Sequence, residues 1–275
     1  MRFYCLRTSG NEEHSLRFIV NYKRSNKMKR QIDTGKIFDI SDRFNKLKDI
    51  VWEKRHADII EDGILDVNLY ANATTRILWV LKQDYYDSGA MELTYRERVL
   101  AAVRTGNLSS TWKRMAQVSY GILTGTKEFS ALPNLYECGK ALLATAIIES
   151  NKELGESRSD NSVVLDGFNY YRQLVMDQID VYDPDVIIVG MNEQLKMIPG
   201  EIYCHIAGYD SYAEELYNAE WDNGDNVASS CIKGKVLLWV SHPQATKDIY
   251  GGVTDELYFK NIVKRYLECK GQCVE

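Results

Sequence analysis

Two side chains able to move protons each follow a short apolar run. Asp84 lies in KQDYYD (82–87) after RILWVL (76–81), and His242 lies in SHPQA (241–245) after KVLLWV (235–240). An aspartate at such a place can orient or activate a water, and a neutral imidazole can donate a hydrogen bond to an anionic leaving group. Asn151 and Lys152 follow a third apolar run, TAIIES (145–150), in the same manner. Gln83 stands beside Asp84, and Pro243 beside His242. Each of these residues also has a purely structural use. Asp and Asn close turns through their own backbone, and a His-Pro pair after a strand is itself a turn signal. No G-x-S-x-G, P-loop, H-E-x-x-H or G-x-G-x-x-G is present, so the common hydrolase, phosphate-binding, zinc-protease and dinucleotide signatures are missing.

These candidates need a scaffold that brings distant segments together. RILWVL, TAIIES, VIIVGM (186–191) and KVLLWVSHP (235–243) are β-rich and apolar throughout, which fits strands buried on both faces of a parallel sheet. Between them the apolar spacing predicts helices over 92–103, 111–123 and 134–144. The clearest helix spans 165–182, where Leu165, Phe168, Tyr171, Leu174, Val175, Ile179 and Tyr182 recur at steps of three and four before Asp183-Pro184 stops it. Further helices are expected from Ser41 to about Ile60 and from Thr254 to about Leu267, the latter with Asp255 and Glu256 in its first turn. The expected architecture is α/β: a single three-layer α/β/α domain over 36–275 with a four-stranded parallel sheet. Residues 208–234 read as a surface excursion, and 1–35 as a basic, peripheral arm. Ligands in such sheets bind beyond the carboxyl ends of the strands, where Asp84, Asn151 and His242 fall. Trp79 and Trp239 alternate with aliphatic residues and belong to the core.

Composition narrows the class. Hydrophobic residues make up 45% of the 275, enough for a sizeable core, and no apolar run is long enough to cross a bilayer. The N-terminus has no apolar signal-peptide core, which with the cysteine usage points to a cytoplasmic protein. The six cysteines include no C-x-x-C pair and read as reduced, mostly buried thiols. Cys204-His205 lacks further ligands for a metal site. Net charge is −5, but residues 1–30 carry +6 and the remainder −11. Any grip on DNA would therefore depend on a few local cations.

The three polar segments resemble motifs of the uracil-DNA glycosylase superfamily. KQDYYD is similar to that family's GQDPYH or GESPN, SHPQA to its HPS, and ESNKELG (149–155) to its strand-end asparagine segment. With the long helix ending in YDPDVIIVG, the resemblance covers roughly residues 70–267. It implies a hydrolase that cleaves the N-glycosidic bond of uracil or another damaged base in DNA, without metal or redox cofactor. Carried over, Asp84 positions the water, His242 stabilises the departing base, Asn151 reads the base edge and Tyr86 shields the pocket. Gln83 and Pro243 belong to the same binding motifs. Lys113, Arg114 and Lys247 would hold DNA phosphates, with Ile249 or Tyr250 filling the gap left by a flipped base. The motifs also depart from the family: Lys82 replaces Gly, Tyr85 replaces Pro, Asp87 replaces His, and Gln244 replaces Ser. Lys82 could pair with Asp84 or Asp87. These departures equally suit a catalytically degenerate member of the fold that binds nucleic acid, nucleotide or protein, or a hydrolase using Asp84 and His242 on a small substrate.

Overall fold

The computed structural model describes residues 31–85, 93–155, 160–209, 222–224, 227–244 and 253–273. In chain order the elements are α1 (Thr34–Arg55), β1 (Gly63–Ile64), α2 (Val67–Asn72), β2 (Ile77–Tyr85), α3 (Tyr95–Thr105), α4 (Ser110–Thr124), α5 (Leu135–Leu143), β3 (Ala146–Gly155), α6 (Asn161–Tyr182), β4 (Val186–Gly190), α7 (Met197–Ala207), β5 (Asp222–Gly224), β6 (Val227–Ile232), β7 (Lys235–Val240) and α8 (Asp255–Gln272). The four apolar runs form the parallel centre of the sheet, in the order β3-β2-β4-β7.

The sheet is larger than four strands, and it is mixed. β1 adds antiparallel to β3, while β6 and then β5 add antiparallel beyond β7, giving the order β1-β3-β2-β4-β7-β6-β5. The segment expected as a surface excursion thus supplies two strands. The hairpin between β6 and β7 turns on Lys233 and Gly234, both at positive φ (47° and 76°), as a two-residue turn matched to strand twist requires.

Alternation along the strands feeds two cores. Ile77, Trp79 and Leu81 of β2 face α3, α4, α5 and α8, whereas Leu78 and Val80 face α2, α6 and α7. On the second side α1 lies outside α6, where Ile40, Phe44 and Val51 meet Tyr171 and Leu174. Caps set several boundaries. Asp160 accepts from Ser162 N and starts α6 four residues earlier than its apolar stripe, and Thr94 with Glu97 forms a capping box at α3. α1 begins seven residues before the expected start, behind its cap Asp33.

The cysteines correct one expectation. Cys231 of β6 and Cys273, just past α8, form a disulfide with Cα atoms 5.7 Å apart, because the end of α8 comes to rest beside the edge hairpin. Cys138, Cys204 and Cys269 are buried free thiols. Cys204 and His205 lie on α7, where His205 Nε2 pairs with Asp180 at 2.9 Å. No cluster of metal-ligating residues occurs among the described residues. Nor is any described helix long and apolar enough to cross a membrane.

Candidate functional site at the carboxyl edge of the sheet

β2 and β3 do not stop where their apolar residues stop. β3 pairs on as Leu81↔Glu149, Gln83↔Asn151 and Tyr85↔Gly155, with a register shift between the last two pairs. The outer side of β3 is also paired: Ile60 N donates to Lys152 O at 3.0 Å, and Leu154 N to Asp58 O at 2.9 Å. With partners on both sides, a polar sequence remains strand. Gln83, Asp84 and Asn151 are therefore strand residues rather than loop residues.

Asp84 is held by Arg98 of α3, whose guanidinium forms an ion pair with it and also lies over the Tyr95 ring at 5.1 Å. The expected pairing of Lys82 with Asp84 is not made. The Lys82 ammonium instead approaches Asn161 Oδ1, at the start of α6, at 3.5 Å. Burial lowers the Lys82 pKa below its ordinary value. Asn161 Oδ1 also accepts from Asn192 Nδ2 at 3.2 Å, and its amide reaches Gln194, so the tips of β2, β4 and α6 share one polar rim.

His242 adjoins that rim. Its Nδ1 accepts a hydrogen bond from Gln244 N at 3.1 Å, so in the neutral ring the proton sits on Nε2. Burial, reinforced by the Lys82 charge, pushes its pKa down to about 4. At neutral pH His242 is then an uncharged donor through Nε2–H.

The turn carrying His242 is braced from three elements. Tyr258 of α8 donates to Ser241 O at 3.1 Å, Pro243 packs on Gly190 of β4, and Arg114 of α4 donates to Pro243 O at 3.1 Å. Arg114 was expected at a DNA-facing rim. It is 8% exposed, and it also bonds Asp255 at 2.8 Å and Val253 O at 2.6 Å. It clamps the His242 turn to the start of α8. Lys113, half-buried at the same helix end, pairs with Asp255 at 2.7 Å. Tyr86, Lys247, Asp87, Ile249 and Tyr250 lie outside the described residues.

Asn151, expected to read a base, is fully buried with its side chain turned to α6. A Cβ on Gly167 would overlap its amide, which donates to Val163 O at 3.4 Å and accepts from Glu153 N at 3.1 Å. Gln83 is also engaged, donating to Glu153 O at 3.0 Å. Beneath them Lys152 and Asp62 form an ion pair at 2.7 Å with both side chains at 0% exposure, and Gln178 of α6 bonds to each.

One residue of the site was not singled out from sequence. Glu149 of β3 is 3% exposed, and its Oε2 has no hydrogen-bond partner among the described residues. Burial and the neighbouring Asp84 and Asp62 charges raise its pKa well above the ordinary carboxyl value. Its signal was a lone Glu inside the apolar run TAIIES, where a charged residue must be paired or neutral.

The edge thus carries an Arg-held aspartate whose charge acts on the buried Glu149, and an imidazole on which the Lys82 charge acts. No protein-family model and no curated protein sequence matches this chain.

Proposed function

We propose that the protein hydrolyses the N-glycosidic bond of uracil or another damaged base in DNA. The observation that carries this reading is His242, a neutral imidazole whose Nδ1 is occupied by Gln244 N–H, leaving Nε2–H as a donor. Such a donor gains strength only as negative charge develops on a departing base, so it lowers the barrier rather than merely binding substrate. Asp84, held by Arg98 beside the same sheet edge, supplies a carboxylate to orient water and to counter positive charge on the sugar. A target within a duplex must leave the stack to reach these groups. The test is incubation with single- and double-stranded oligonucleotides carrying one uracil, followed by alkaline cleavage. Strand scission at the uracil supports the reading, and intact strands for uracil, hypoxanthine and other deaminated bases refute it.

A second reading, a binding module of this fold without the chemistry, is favoured by one observation. Asn151 and Arg114 both make internal bonds in place of the base and phosphate contacts expected of them. Binding of the same oligonucleotides without scission is its outcome.

A further inference from the structure

We infer that Glu149 is the residue that holds the edge of a bound heterocyclic base, at an adjacent N–H and C=O of lactam type. The class of ligand rests on the N-glycosidic reading above; the placement of Glu149 does not. The polar side chains of β3 run from Glu149 through Ser150, Asn151 and Lys152 to Glu153. Asn151 is turned toward α6 and satisfied there, while Glu149 has a buried Oε2 with no hydrogen-bond partner among the described residues. A buried polar atom left unsatisfied destabilises the fold, a cost that a ligand supplying the missing bond removes.

The surroundings define what Glu149 can offer. Asp84 of β2 and Asp62, before β1, raise its proton affinity, and Lys152 of β3 and Arg98 of α3 oppose them. Tyr95 of α3, which feels the Glu149 charge, is buried and itself held protonated. The Glu149 backbone N–H donates to Asp62 at 2.6 Å, which fixes the strand at this point. Desolvation and the two aspartates dominate and raise the Glu149 pKa well above the ordinary carboxyl value, which favours its protonated form. A carboxylic acid presents one donor and one acceptor on a single carbon, complementary to a C=O beside an N–H. A carboxylate presents acceptors only, so recognition of the carbonyl fails once the proton is lost.

The experiment is equilibrium binding of N1-methyluracil and N1,N3-dimethyluracil to the full chain, with excision assayed on the same preparations. N1-methyluracil should bind, and the dimethyl compound, which lacks the N–H, should bind about tenfold or more weakly. Glu149→Ala should lose about tenfold or more in N1-methyluracil affinity. Glu149→Gln keeps one donor and one acceptor, so it should retain binding. Wild-type affinity should fall as pH rises through the raised Glu149 pKa, over and above any fall in Glu149→Gln from ionisation of the ligand itself. Equal binding of the two compounds, unchanged affinity in Glu149→Ala with a native melting curve, or no binding of N1-methyluracil by the wild type would each overturn the inference. The dimethyl comparison uses wild type alone and stands even if Glu149→Ala fails to fold. Excision undiminished in Glu149→Ala overturns the inference and leaves the N-glycosidic reading intact. Proton-dependent lactam binding without excision does the reverse.

Discussion

Gly190, the last residue of β4, lies directly against the ring of Pro243. A Cβ at position 190 would sit 2.9 Å from Pro243 Cδ and 3.1 Å from Leu81 Cδ2. The bare backbone of β4 lets the turn after β7 close down beside His242. Gly190→Ala should therefore displace the His242 turn and destabilise the fold by about 1–3 kcal/mol, the usual range for overpacking. Thermal melting combined with the imidazole chemical shifts of His242 measures both effects. An unshifted His242 with native stability would show that the contact does not set the turn.

The protonation of His242 has a predicted pH signature. Its folded pKa of about 4 lies below the unfolded value near 6.5, so the folded form holds fewer protons between those limits. Stability should be unaffected by this group above pH 6.5, decline as pH falls from about 6.5 to about 4, and show no further loss from it below that. His242→Gln should remove this component. An NMR titration that returns an ordinary imidazole pKa would refute it.

The buried pair of Lys152 and Asp62 predicts an asymmetric response to mutation. Lys152→Ala leaves an uncompensated carboxylate among buried groups and should cost about 3–5 kcal/mol in denaturant unfolding. Replacing both partners with apolar residues, Lys152→Met with Asp62→Leu, should cost clearly less, since no charge is stranded. A single mutant as stable as the wild type would contradict the account.

Cys231 and Cys273 should resist alkylation until a reductant is added, and mass spectrometry should recover their peptides joined. With the two cysteines 42 positions apart in sequence, the chain-entropy model puts the stabilisation at about 4 kcal/mol at most. Reduction, or Cys231→Ser, should lower the melting temperature accordingly.

The parallel centre of the sheet was legible because its strands are apolar throughout, and the stripe of α6 because it recurs at helical spacing until Pro184. What escaped has physical causes. β6 contains Ser229 and Ser230, buried yet polar, so its period was obscured; the Lys233-Gly234 turn was its readable signal. The outer halves of β2 and β3 are polar and are strands only because each has paired neighbours, a tertiary effect. The placement of Asp84 and His242 at the carboxyl ends of parallel strands was legible from the apolar runs before them. The direction of Asn151 was not, because the register shift in β3 and the space above Gly167 decide it. Arg114 read as a surface cation, since nothing in sequence discloses that Asp255 and two carbonyls enclose it.

The central claim is that His242 and Asp84 act on opposite ends of a breaking N-glycosidic bond. Single-turnover excision from a uracil-containing oligonucleotide, with a binding isotherm for each variant, tests it most directly. The account predicts excision by the wild type, a loss of about a hundredfold in rate for His242→Ala and for Asp84→Asn, and little change in DNA affinity. Excision at the wild-type rate by both variants, or none by the wild type, would contradict it.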